Sequence, residues 1–120
     1  MRIKAIEHVQ LAMPEGQEDK ARSFYCDCLG MTEVPKPSEL AKRGGAWFEV
    51  GNVKIHLGVE PDFRAASKAH AAFLVSNIAD FASRLEDAGC DVLIDSDLRG
   101  ISRFYTNDPF GNRLEFMEAN

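Results

Sequence analysis

All three histidines of this 120-residue chain, together with one glutamate, fall into two matched pairs. His8 and His70 stand 62 residues apart, and His56 and Glu115 stand 59 apart. Imidazole nitrogen and carboxylate oxygen are ligands for divalent ions such as Zn, Ni, Co, Mn or Fe, and either group can carry a proton near neutral pH once its surroundings tune it. The near-equal offsets put the pairs at the same points of two similar half-chains. The first half opens EHVQLAM, runs through a helical pattern ending CLGM and closes AWFEVGNVKIHLGVE. The second opens KAHAAFLV, runs through a pattern ending EDAGC and closes RFYTNDPFGNRLEFME. Four ligands distributed in this way suit a site built across a pseudo-twofold axis.

The elements that must position these groups are legible from periodicity. Residues 3 to 13 alternate, with Val9, Leu11 and Met13 on one side and His8, Gln10 and Ala12 on the other, which predicts a strand. Ala21, Phe24, Tyr25, Cys28 and Leu29 recur at helical spacing from Glu18 to Leu29, with Gly30 as the C-terminal cap. A short strand over 31–34 follows, and PKPSELAKRGG has the composition of a mobile loop. Strands over 47–50 and 53–59 then meet at Gly51-Asn52, a tight hairpin connection. After the polar segment EPDFRAASK the order repeats, with a strand over 69–75, a helix over 78–88 with Gly89 as cap, and a strand over 90–94. Ser76 or Asn77 is expected to cap that helix, while Ile78, Phe81, Ala82 and Leu85 form its buried stripe. Strands over 101–106 and 112–118 flank the turn-forming NDPFGN.

The reading is an α+β fold in one domain, 1–120, made of two βαβββ modules: about 1–60, a linker over 60–68, and about 69–120. Each half is too small to bury an adequate core alone. Alternation then tests the candidates, because a ligand must lie on the strand face opposite the residues that pack against the helix. All four pass: His8 opposes Val9, His56 opposes Ile55 and Leu57, His70 opposes Ala71 and Phe73, and Glu115 opposes Leu114 and Phe116. The same parity carries Trp47, Glu49, Arg103, Tyr105 and Arg113 onto the non-packing face.

Composition narrows the function classes. A net charge of −5 argues against nucleic acid, whose binding needs a basic stripe, and no basic amphipathic segment suits a membrane surface. No run reaches transmembrane length, and the N-terminus lacks the apolar core of a signal peptide. Cys26, Cys28 and Cys90 form neither an even disulfide framework nor a CxxC pair, as expected of reduced packing residues in a cytoplasmic protein.

Taken together, HVQLAM, ARSFYCDCLGM, KAHAAFLV and FYTNDPFGNRLEF resemble the vicinal oxygen chelate superfamily, which contains glyoxalase I, fosfomycin-resistance enzymes, extradiol dioxygenases and bleomycin-binding proteins. The resemblance covers nearly the whole chain. It implies paired βαβββ modules forming a U-shaped sheet of mixed and antiparallel strands around a divalent metal, often in a homodimer. It places the metal ligands at His8, His70 and Glu115, with His56 in the fourth position, where glyoxalase I has a glutamate. Gln10 replaces the threonine expected of fosfomycin enzymes, and the chain has no room for the helices that hold glutathione in glyoxalase I.

The expected function is therefore a divalent-metal-dependent lyase or isomerase of the glyoxalase-like type, acting on a small molecule that chelates through vicinal oxygens. Glu115 or His56 is the expected catalytic proton carrier, and Trp47, Tyr105, Gln10 and Arg103 are the expected substrate-binding residues. One alternative is a metal-free protein of the bleomycin-resistance type that sequesters a planar ligand against Trp47 and Tyr105. Another is an Fe(II) ring-cleaving dioxygenase, which a two-histidine, one-carboxylate triad permits.

Overall fold

In the computed structural model, residues 1–96 and 99–120 are described. They form two compact units, Met1–Phe63 and Arg64–Asn120.

The first unit runs β1 (Val9–Met13), α1 (Glu18–Arg22) continuing as a π-helical segment (Ser23–Cys28), β2 (Thr32–Val34), α2 (Ser38–Ala41), β3 (Ala46–Val50) and β4 (Val53–Val59). Its strands make one mixed sheet in the order β1-β4-β3-β2, with β1 parallel to β4 and the other pairs antiparallel. Met13, Ile55, Leu57 and Phe48 are buried, as are Phe24 and Tyr25 of the π-helical segment. Tyr25 stacks on Phe48 with centroids 5.3 Å apart. Burial of side chains this size stabilises the fold by about 1.5–3 kcal/mol each.

The single regular helix expected over 18–29 is thus α-helical only to Arg22. The Leu29 amide donates to the Phe24 carbonyl, five residues back. Phe24 and Tyr25 of this wider turn are both buried, at 4% and 0% exposure. The first strand also begins later than expected. Val9 pairs with Ile55, and β4 starts at Val53, so in parallel register residues 1–6 have no strand to pair with and stay exposed. Within the segment expected to be a loop, Ser38–Ala41 forms one helical turn. The Gly51-Asn52 hairpin forms as expected, with Gly51 at φ +55°.

The second unit repeats the order as β5 (Ala71–Leu74), α3 (Ile78–Asp87), β6 (Leu93–Ile94), β7 (Ile101–Asn107) and β8 (Arg113–Ala119), with sheet order β5-β8-β7-β6. Phe116 stands at the centre of its packing face, 5.1 Å from Phe104, 5.3 Å from Phe73 and 5.8 Å from Phe81 of α3. The turn between β7 and β8 is held by the buried Asp108, whose carboxylate accepts from the Phe110 and Asn112 amides at 2.9 Å. Neither Ser76 nor Asn77 caps α3 with its side chain. Asn77 sits in a left-handed conformation at φ +56°, and the Glu118 carboxylate accepts from the Asn77 and Ile78 amides at 2.9 and 3.1 Å. A carboxylate from β8 thus takes up the orphan amides at the positive end of the helix.

Candidate active site

Register within each sheet fixes which residues share a face. In the first unit Gln10, His56 and Trp47 are cross-strand partners in one row, and Val9, Ile55 and Phe48 form the neighbouring row on the packed face. In the second, Ala72, Glu115, Tyr105 and Leu93 form one row, and Phe73, Phe116, Phe104 and Ile94 the other. Glu115 therefore holds in its sheet the place that His56 holds in the first, and Tyr105 the place of Trp47. His8 and His70 each stand one residue before the first strand of their unit.

In the first unit three rings are stacked. His56 lies between His8, at 4.1 Å and 17°, and Trp47, at 4.0 Å and 4°. His56 is only 6% exposed, and burial first, then the neighbouring His8, pushes its pKa down. The His8 Nδ1 lies 2.9 Å from the Glu7 carboxylate. Glu7 is held down to about 2 by its hydrogen bond to Lys54 and then by that to His8. Because a carboxylate only accepts, this contact protonates Nδ1 and leaves His8 Nε2 as the nitrogen available to a ligand. Stacking constrains His56 differently. Two cofacial imidazoles have parallel in-plane lone pairs, so in this arrangement His8 and His56 cannot converge on one ion. Gln10 is exposed on the same face, and its amide lies over Gly58, where a Cβ would come within 2.7 Å of Nε2.

In the second unit the contacts are polar. His70 Nδ1 lies 2.7 Å from the Lys68 carbonyl oxygen and Nε2 lies 2.8 Å from Glu115 Oε1. A carbonyl can only accept, so Nδ1 carries the proton. Nε2 then faces a carboxylate oxygen at hydrogen-bonding distance. Glu115 is 5% exposed, and its second oxygen accepts from Arg103 Nη1 at 3.3 Å. Arg103 also bonds Asp95 at 3.1 Å through Nη2, while its buried Nε has no hydrogen-bond partner among the described residues. Burial opposes the Arg103 charge, but Asp95, Tyr105 and Glu115 more than offset this and raise its pKa. Tyr105 is the hub of the face: the His70 ring stands nearly perpendicular to it with centroids 5.7 Å apart, and the Arg103 and Arg113 guanidinium carbons lie 5.6 and 4.1 Å from its centroid.

The family description "Glyoxalase/Bleomycin resistance protein/Dioxygenase superfamily" matches residues 5–116. The chain belongs to this superfamily. A crystal structure of a protein assigned to the glyoxalase family, from Bacillus anthracis, is 50% identical, covers 100% of this chain and 98% of its own, and superposes with a TM-score of 0.96. Two more distant structures share the fold. Lactoylglutathione lyase from Agrobacterium tumefaciens is 22% identical with a TM-score of 0.76, covering 98% of this chain and 96% of its own. The fosfomycin resistance protein FosX from Listeria monocytogenes is 14% identical with a TM-score of 0.80, covering 99% and 96%. No functionally curated protein matches the chain. Among the described residues, no helix is long and apolar enough to cross a membrane.

For this glyoxalase-superfamily chain the sequence-derived candidates are therefore placed as follows. His70, Glu115, Arg103 and Tyr105 come together in the second unit, and His8, His56 and Trp47 in the first. Among the described residues, no three His, Cys, Asp or Glu side chains gather into one metal-sized cluster. The His70–Glu115 pair nevertheless suits an ion chemically. At metal–ligand distances of about 2.0–2.2 Å, neighbouring ligands stand roughly 2.8–3.1 Å apart at a right angle and roughly 3.3–3.6 Å apart at the tetrahedral angle, so the observed 2.8 Å lies at the short edge of the range for a right-angled pair. Three participants escaped the sequence reading. Lys68 acts through its backbone, which no side-chain pattern reveals. Glu7 and Asp95 act through local geometry, although Glu7 is the immediate neighbour of His8.

Proposed function

We propose that the protein is a divalent-metal-dependent lyase or isomerase whose small-molecule substrate binds through vicinal oxygens. The observation that carries this reading is the orientation of His70. Its Nδ1 is tied to the Lys68 carbonyl, and its Nε2 is aimed at the buried Glu115 carboxylate. A metal-ligating histidine is held in the same way, by a backbone acceptor on its other nitrogen. His70 and Glu115 would hold the ion, with His8, whose Nε2 is left available by Glu7, as the third ligand in a homodimeric protein. A bound divalent ion supplies Lewis-acid polarisation of substrate oxygens.

Glu115 is the proton carrier in this scheme. Its Oε2 is steadied by Arg103, which keeps the carboxylate oriented while Oε1 exchanges partners. His56 is assigned a supporting role: it fixes the His8 ring from below and rests on Trp47. That stack also occupies one face of Trp47, leaving a planar substrate at most the other.

The test is elemental analysis of protein purified without chelator, with His70→Ala, Glu115→Ala and His8→Ala alongside. About one divalent ion per chain, lost in the variants, supports the reading. Wild type that refuses added Zn, Ni, Co, Mn and Fe sinks it. In that case His70 and Glu115 are a hydrogen-bonded pair, and the reading becomes a metal-free binding protein.

A further inference from the structure

Two arginines flank Tyr105 on the face that carries His70 and Glu115, and they differ in what they have left to give. Arg103 gives its Nη1 and Nη2 to Glu115 and Asp95, and its unpartnered Nε is buried away from solvent. Arg113 lies closer over the ring, at 4.1 Å, is only half exposed, and among the described residues its side chain makes no ion pair or hydrogen bond. Stacking uses the face of a guanidinium and leaves its N–H donors free in the plane of the group. Arg113 therefore presents a guanidinium held over an aromatic ring, with no acceptor for its side chain and half removed from water. Register places it beside the reacting pair: β5 and β8 pair Ala71 with Leu114, so His70 and Arg113 are the preceding residues of two parallel strands. Arg113 is also two residues from Glu115 along β8, on the same face.

We propose that Arg113, held on Tyr105, is an oxyanion-recognition residue, and that the ligand of this site carries a carboxylate or phosphate group next to the oxygens that meet His70 and Glu115. A planar fork matches two oxygens of either group, giving two parallel charge-assisted hydrogen bonds. Tyr105 is the positioning residue, because its ring holds the guanidinium in place before the anion arrives. The inference rests on the proposed active site for what lies beside the anion, but capture of the anion itself needs no metal.

The experiment is an NMR titration of the whole protein, stripped of metal with the neutral chelator 1,10-phenanthroline and desalted, since a polycarboxylate chelator would compete for the site. The probes are inorganic phosphate and succinate. Saturable shifts are expected at the Arg113 side chain and the Tyr105 ring, and the tighter probe identifies the anion class. Arg113→Gln is expected to weaken the better probe about 10- to 100-fold, the loss of a charge-assisted hydrogen-bond pair. Arg113→Lys keeps the charge without the fork; it is expected to weaken binding several-fold, and it decides the matter if the glutamine variant does not fold. Arg84→Gln, which removes the arginine that lies over Phe81 on α3, is the control and is expected to bind as wild type does.

Unchanged affinity in folded Arg113→Gln or in Arg113→Lys, or no saturable shift with either probe, overturns the proposal. Metal uptake by Arg113→Gln is measured separately and is expected to match wild type. If the wild type takes up no metal yet binds the anion through Arg113, the metal reading fails and the anion site stands.

Discussion

Replacing His56 with phenylalanine separates a packing role from a role as ligand or base. His56 is 6% exposed, both faces are covered by rings at 4.0 and 4.1 Å, and its pKa is lowered by burial and by His8. Glu7 and Glu49 act in the opposite direction without reversing the shift. A histidine with a depressed folded pKa is neutral in both states well above the unfolded value, so stability is complete there. As pH falls through about 6.5, the unfolded chain takes up a proton that the folded chain refuses. Stability then declines until the folded pKa is passed. One such group contributes at most about 1.4 kcal/mol per pH unit, and screening by nearby solvent reduces the expected slope to about 0.5 kcal/mol per unit. Urea denaturation at pH 7.5, 6.5 and 5.5 measures it as the difference between wild type and His56→Phe, which cancels carboxylate titration common to both. Phenylalanine keeps the stack and cannot titrate, so the variant should hold its stability across this window better than wild type. Its metal content should be unchanged. Parallel loss of stability in the two proteins would refute the buried-neutral assignment, and loss of the ion in His56→Phe would make His56 a ligand.

Three further outcomes follow from the packing. Glu118→Ala removes the acceptor for two amides at the start of α3 and should cost about 1 kcal/mol in urea denaturation, with early amide exchange confined to that helix; an unchanged midpoint would show that water caps the helix equally well. Gly45→Ala puts a Cβ into the Leu57 carbonyl at a position with φ +82°, and a loss of about 1–3 kcal/mol or failure to fold is expected; wild-type stability would mean that β3 and β4 separate easily. Phe116→Ala empties the centre of the second sheet's packed face and should cost about 3–5 kcal/mol; a loss under about 1 kcal/mol would mean that Phe73, Phe81 and Phe104 collapse into the space.

Residue periodicity alone is enough to give the duplicated order of elements and the face on which each chemical residue stands. Both follow from local rules: a strand alternates with period two, so once Ile55 or Phe116 is inside, His56 or Glu115 must be on the other side. The strand pairings of each sheet are consistent with that parity at every candidate within a strand. Features that depend on what stands opposite were out of reach. The π-helical turn answers to Phe48 and the sheet beneath it, the cap of α3 comes from 40 residues away, and the first strand starts where β4 can pair with it.

Within the site, sequence chose the residues, but only the tertiary structure assigned their partners. It made His56 the middle of a stack, gave His70 a backbone acceptor and a buried carboxylate, and committed Arg103 to Asp95 and Glu115 while leaving Arg113 without an ion pair. Two arginines on the same face of neighbouring strands look alike in a sequence. They diverge in the fold because hydrogen bonding depends on distances of a few ångströms between groups far apart along the chain, and residue spacing does not encode those distances.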